Sequence, residues 1–287
     1  MKAAAGSWLV IGCGYVGARV VAQLRAREAR IAIVTRDAAR AAAFAAQGAQ
    51  MLVGDYADAA RLLAFGAALP SPLRVLCLLP PSGCQDDAGT LAPLERLVGT
   101  LRQLAPASAL LSSSTGVYGE QGSRVVTAES ACLPASPRER RLGEIERCWR
   151  EMPVARVVRF AGLYGPGRVV GLQGVRAGHP VPGDPDGYLN LIHAADAAAL
   201  LVQAALGAAA AIELGADGSP VTRRVYYRTL AGLCGAPPPR FSGEPATRGG
   251  GYRRCDPSTT CERLQWRPMF RDFRAGLAAL GDELIRE

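Results

Sequence analysis

An α/β fold, a doubly wound parallel sheet, is predicted by three features of this 287-residue chain. Short apolar runs alternate with amphipathic stretches at a spacing of about 20 residues, the rhythm of parallel strands joined by helices. The first run, Leu9-Val10-Ile11, opens into glycines spaced G-x-G-x-x-G at Gly12, Gly14 and Gly17 and then into a helical stretch from Ala18 to Arg27. The composition, 49% hydrophobic and 20% charged, is that of a globular protein with a sizeable core. No apolar run reaches the roughly 20 residues of a membrane span. Lys2 and the small residues up to Gly12-Cys13 imitate a short lipoprotein signal, but the glycine pattern runs straight through the supposed cleavage site. A cytoplasmic protein with no membrane partner, monomeric or homodimeric, is therefore expected.

Each glycine has a mechanical reason. Gly12 permits the tight turn, Gly14 lets a pyrophosphate approach the backbone, and Gly17 lets the helix pack on the strand. Cys13, Tyr15 and Val16 complete the turn, whose free N–H groups would hold the ligand's negative charge. The second strand is Arg30 to Thr35, followed by an alanine-rich helix from Ala38 to about Gln47 and a third strand, Gln50 to Val53. An acid at the end of the second strand suits the ribose hydroxyls of NAD. Here Thr35-Arg36 offers a hydroxyl and a guanidinium suited to a 2′-phosphate, and Asp37 reads as the cap of the next helix, so NADP is expected over NAD. Asp55 is a candidate acceptor for the adenine amine, with helix capping as its alternative. The fourth strand, Arg74 to Leu79, runs into a proline loop, so that Leu78, Leu79 and Pro80 are expected to wall the nicotinamide ribose. A helix from Leu91 to Leu104 leads to the fifth strand, Ala109 to Leu111, and its end at Ser112.

The net charge of +8 comes from scattered arginines that are not interleaved with aromatics, so an anionic small molecule is expected as partner and nucleic acid is not. The eight cysteines show no C-x-x-C pair and no metal-like spacing with the two histidines; free thiols and no metal are expected. Lys2 is the only lysine, which excludes mechanisms needing an active-site lysine unless the N-terminal tail supplies it.

Four ordered motifs point to a family. Ser112-Ser113-Ser114-Thr115-Gly116-Val117-Tyr118-Gly119 resembles the serine-rich segment and V-Y-G of extended short-chain dehydrogenases/reductases, the group of nucleotide-sugar epimerases and dehydratases. The run from Arg156 through Tyr164-Gly165-Pro166-Gly167 is similar to the family's sixth strand and Y-G-P-G turn, and Ile192-His193-Ala194-Ala195-Asp196 to its I-H-x-x-D segment. Ser258 through Leu264-Gln265-Trp266-Arg267-Pro268 resembles its terminal S-x-x-x-x-x-L-G-W-x-P, with Gln265 where glycine is usual. The resemblance implies a Rossmann NAD(P)-binding domain over 1–164, completed by about 187–216, and a substrate-binding lobe over 165–186 and 217–287.

One departure bears on chemistry. Family members act through a serine or threonine, a tyrosine and a lysine, the last two spaced Y-x-x-x-K. Ser114 occupies the serine position, but the matching helix context, Pro134 to Glu146, puts Arg138 at the tyrosine and Leu142 at the lysine. A guanidinium cannot act as the acid, although Arg138 can clamp a carboxylate or phosphate; an exposed helix-start arginine is the alternative. Ser114 is then the leading catalytic candidate, as a hydrogen-bond donor to substrate, with Tyr164, Tyr118 and His193 as further candidates for the missing proton donor. Tyr252, Arg253 and Arg254 are candidates to face an anionic substrate, along with Ser114 and Arg138. The expected activity is NADP-dependent hydride transfer to or from a small molecule, and a protonated imine is one acceptor that would suit the site. The alternatives are a non-catalytic NADP-binding redox sensor or regulator, and a nucleotide-sugar epimerase or dehydratase.

Overall fold

The computed structural model describes residues 6–86, 88–246 and 251–284. Lys2, Gly249 and Gly250 lie outside them. In chain order β1 (Ser7–Ile11), α1 (Tyr15–Arg25), β2 (Arg30–Thr35), α2 (Ala38–Ala45), β3 (Gln50–Val53), α3 (Ala59–Ala67), β4 (Leu73–Cys77), α4 (Ala92–Leu104) and β5 (Ser108–Ser114) carry the strand–helix alternation. After β6 (Val125–Val126) come α5 (Pro137–Trp149), β7 (Ala155–Phe160), β8 (Gly162–Tyr164), α6 (Leu172–Arg176), β9 (Tyr188–Leu189), β10 (Leu191–His193) and α7 (Ala194–Leu206). The remaining elements are β11 (Ile212–Gly215), β12 (Val221–Thr222), α8 (Arg223–Leu233), β13 (Arg254–Cys255), α9 (Ser258–Leu264) and α10 (Phe273–Ala278).

Seven strands form one sheet in the order β11-β7-β5-β4-β1-β2-β3. β1 pairs parallel with β2 on one side and β4 on the other, so the strand order reverses beside β1. The carboxyl ends of strands at such a switch point are where open α/β sheets bind ligands. All five residues of β1 are buried, as expected of a strand covered on both faces. No helix among the described residues is long and apolar enough to cross a membrane.

The chain divides into two compact units. The first comprises Met1–Ser113, Arg140–Val158 and Ala198–Glu213. Its core joins Leu9, Ile11 and Val34 from the strands to Leu62, Leu97 and Trp149 from the helices. Each such side chain stabilises the fold by roughly 1.5–3 kcal/mol. Trp149 meets the polar requirement of a buried indole by donating Nε1–H to the Ala109 carbonyl, 3.3 Å away.

The second unit comprises Ser114–Glu139, Arg159–Ala197 and Leu214–Glu287, around a core that includes Tyr164, Leu191, Tyr226, Leu230 and Phe273. It is larger than the lobe expected from the sequence, because 114–139 is tied to the distant C-terminal segment. β6 pairs parallel with β13, Arg253 Nη1 donates to the Gly119 carbonyl at 2.8 Å, and Arg263 pairs with Glu129 at 3.0 Å. Four helices also escape sequence reading: α3, capped by Asp58; α6, within a glycine-rich and proline-rich stretch; α9, within the terminal motif; and α10, capped by Asp272.

Candidate functional site

Within the first unit the ends of β1, β2 and β4 and the loop after β3 enclose a cleft of about 300 Å³. Its floor is the glycine turn, Gly12, Cys13 and Gly14, faced by Leu78, Leu79 and Pro80. Gly12 sits at φ +85°, and a Cβ there would lie 3.0 Å from Leu79 Cδ2. A Cβ on Gly17 would lie 3.0 Å from the Gly12 carbonyl oxygen, so α1 packs as tightly on the turn as the spacing predicts. At Gly14 nothing lies within 4 Å of an added Cβ. The room left open is at the one glycine whose expected purpose is to admit a ligand.

The electrostatics suit an anion. The N–H groups of Cys13 and Gly14 have no hydrogen-bond partner among the described residues, no side chain caps Gly14, and no acid lies in the first turn of α1. Unpaired N–H groups at the positive end of a helix are an anion-binding arrangement. Tyr15, Val16 and Gly17 form that first turn. Burial, opposed by Arg40, pushes the Cys13 thiol up to about 11, so it stays neutral near pH 7. All eight cysteines are free thiols.

The end of β2 supplies Thr35, Arg36, Asp37 and Arg40 to the same cleft. Asp37 caps α2 by accepting the Arg40 N–H at 2.9 Å, and its other oxygen lies 3.6 Å from Arg40 Nε. Its carboxylate is thereby committed to the helix start. Arg36 is exposed and makes no hydrogen bond or ion pair with the described residues. Two hydrogen-bonding side chains of the lining, those of Arg40 and Tyr56, were not anticipated from sequence. Arg40 reaches across to donate to the Cys13 carbonyl at 3.0 Å, and Tyr56 donates to the Gly83 carbonyl at 2.5 Å, linking the loop after β3 to that after β4. Asp55 is exposed and takes the Ala57 N–H on Oδ1 at 2.9 Å; the cap of α3 is Asp58 instead. Neither Asp55 nor Ser112 lines the cleft. Ser112 lies on β5, beyond β4 in the sheet.

Ser113 Oγ donates to Glu146 Oε1 at 2.6 Å. Leu142, at the position expected for the family lysine, is 1% exposed one turn earlier on α5. Arg138 is exposed in the first turn of that helix.

In the second unit Ser114 Oγ accepts the Gly116 N–H at 3.1 Å, which leaves the hydroxyl hydrogen able to donate elsewhere. The three other candidate proton donors are packed in the interior. Tyr118 is 0% exposed beneath the Arg159 guanidinium, 4.8 Å from its ring, and burial pushes its phenol up to about 12. Tyr164 is also 0% exposed and donates to the Asp272 carbonyl at 3.3 Å; burial, with Asp217, Asp196 and Asp272 adding to it, holds its phenol above the ordinary value. His193 Nδ1 accepts the Ala195 N–H at 3.3 Å, and its ring lies 4.0 Å from that of Phe270 and 5.3 Å from that of Tyr164. Asp196, the acid of the same motif, accepts the N–H groups of Met269 and Phe270 at 2.7 and 3.1 Å. These residues are packed into the interior of the unit. Tyr252 likewise directs its hydroxyl to Asp184.

The TrkA-N domain family matches residues 8–69, the stretch from β1 to the end of α3. A 3-diazoavenalumate denitrifying reductase from a Streptomyces species is 30% identical over 257 residues, covering 81% of this chain and 83% of that protein. Among solved structures, the Thermotoga maritima UDP-glucose 4-epimerase with UDP-glucose superposes with a TM-score of 0.79 at 18% identity, covering 97% of this chain and 98% of that one. The Thermus thermophilus UDP-glucose 4-epimerase in complex with NAD gives 0.78 at 20% identity, covering 97% and 98%. The two structural likenesses establish the fold; with the ordered motifs and the reductase relative, they place the chain in the extended short-chain dehydrogenase/reductase family, that of the NAD-dependent epimerases and dehydratases.

Proposed function

We propose that the chain is a reductase that binds NADPH in this cleft and passes hydride to a small acceptor without a tyrosine–lysine proton relay. The observation that carries the reading is the pairing of an open anion-binding glycine turn and a free Arg36 with Arg138 and Leu142 at the relay positions. The glycine turn and the start of α1 would hold the diphosphate, Thr35 and Arg36 the 2′-phosphate, and Leu78, Leu79 and Pro80 the nicotinamide ribose. Asp55 Oδ2 is the acceptor offered to the adenine amine, and Ser112, on β5, is the serine assigned to the cofactor. When bound, NADPH supplies hydride from nicotinamide C4. Ser114 Oγ–H orients the acceptor, and Arg138 pairs with an anionic substituent on it.

Reduction of a ketone creates an alkoxide that must be protonated, which is the usual task of the tyrosine. An acceptor already carrying positive charge makes no such demand. The diazo group in the Streptomyces relative's name fits that class. An arenediazonium that takes hydride on its outer nitrogen becomes a neutral diazene, which loses N2 and leaves an arene C–H. Atoms and charge balance with no proton from the protein. An epimerase or dehydratase cycle, by contrast, opens with an oxidation in which the tyrosine is the base.

The absent relay also favours a second reading, an NADP-binding sensor with no catalysis. A carboxylated arenediazonium labelled with 15N separates the two. The reductase reading expects one labelled N2 released per NADPH oxidised, faster than without protein, and slowed in Ser114→Ala. Tight NADPH binding with no reduction of diazonium, iminium or carbonyl probes, and no effect of Ser114→Ala, would leave the sensor.

A further inference from the structure

The glycine turn is tied to the end of β2 by the main-chain bond from the Gly12 N–H to the Val34 carbonyl at 3.1 Å, and to the start of α2 by Arg40, whose partner in the turn is a main-chain oxygen. Arg40 Nη1 donates to the Cys13 carbonyl at 3.0 Å across 27 residues of chain. No other group among the described residues bonds that carbonyl. The arginine is itself held at two points, since its N–H bonds Asp37 Oδ1 at 2.9 Å and its Nε lies 3.6 Å from Asp37 Oδ2.

A trans peptide carries its C=O and N–H on opposite sides. Fixing the Cys13 carbonyl therefore fixes the direction of the next N–H, that of Gly14, which has no partner of its own. The following residue has no side chain to restrain the peptide, and an added Cβ would touch nothing within 4 Å. Without Arg40 no hydrogen bond among the described residues fixes the orientation of this peptide.

From these contacts we propose that Arg40 is a positioning residue for the dinucleotide's diphosphate: it orients the Cys13–Gly14 peptide so that the Gly14 N–H is preset for an anion. This rests on the dinucleotide reading of the cleft and adds a mechanism to it. A single guanidinium then couples the strand end where a 2′-phosphate is read to the turn where the diphosphate sits. Arg36 has no such contact and serves only the 2′-phosphate.

The two roles separate by ligand. Dissociation constants of NADPH, NADH and ADP-ribose are measured for the wild type, Arg40→Met and Arg36→Met, with melting temperatures to establish that each variant is folded. All three ligands carry the diphosphate, and only NADPH carries the 2′-phosphate. Arg40→Met is expected to weaken all three by a similar factor of about ten, the loss of one charge-assisted hydrogen bond's worth of preorganisation. Arg36→Met is expected to weaken NADPH alone. If Arg40→Met weakens only NADPH, or none of the three, the positioning role is overturned while the cleft remains a dinucleotide site. Binding of none of the three by the wild type overturns the dinucleotide reading and the proposal with it.

Discussion

Gly12, Gly14 and Gly17 meet three different constraints, so a methyl group at each has a different consequence. Gly12→Ala forces a left-handed φ on an alanine beside Leu79, and Gly17→Ala presses on a backbone oxygen. Both should lower stability by about 1–2 kcal/mol or more, seen as a drop in melting temperature. Gly14→Ala should leave the melting temperature unchanged and weaken NADPH binding, since its methyl occupies only open space; a melting loss at Gly14 equal to that at Gly12 would contradict the assignment. A second residue, Asp217, is 7% exposed, and its buried Oδ2 has no hydrogen-bond partner among the described residues. Burial, offset in part by the Ser219 N–H and reinforced by Asp272 and Asp196, raises its pKa to about 7. The folded protein therefore keeps a proton there that the unfolded chain releases above about pH 4. The stability this provides is complete below that pH and is lost as pH rises through about 7. Asp217→Asn should flatten this slope and exceed the wild type in urea resistance at pH 8 but not at pH 5; an identical slope in the variant would rule the carboxyl out as its source. The glycines were legible because their spacing is local. Arg40, Tyr56 and Asp217 were not, because each takes its meaning from a partner or an absence of partners far along the chain.

Among the elements, β2 and β3 were readable to the residue, since apolar runs with clear polar flanks fix both ends. The start of α1 was placed three residues late, because Gly14 and not a polar side chain is its cap. α9 shows what a departure from a motif costs. It ends at Gln265, which holds φ +48° as the left-handed cap, at the position where relatives were expected to carry glycine. The Gln265 side chain recovers part of this by donating to the Glu262 carbonyl at 2.8 Å. Gln265→Gly should therefore raise stability by about 0.5–1 kcal/mol, read as a higher melting temperature with unchanged NADPH affinity. The start of α5 is better built: Ser136 Oγ accepts the Glu139 N–H at 3.2 Å, and Glu139 reaches back to the Ser136 N–H at 2.9 Å. This capping box fixes where the helix starts, and so which residues stand at the relay positions.

For the whole molecule, the fold class followed from rhythm and the glycine turn, whereas the division into two units did not. The segment 114–139 belongs with the C-terminal elements through β6–β13 pairing and arginine contacts across more than a hundred residues, and no local pattern encodes such a choice. The same limit applied to the catalytic candidates. Tyr118, Tyr164 and His193 stand in motifs that look chemical in one dimension and are packed in three, leaving Ser114 as the one candidate that is not buried. The central claim is that this protein uses the dinucleotide it holds, and does so without moving a proton in the same step. Isotope effects on turnover of an arenediazonium test it most directly. Deuterium at nicotinamide C4 of NADPH should slow the reaction, and replacing H2O by D2O should leave the rate unchanged. A rate insensitive to the C4 label, or one slowed by D2O, would contradict it.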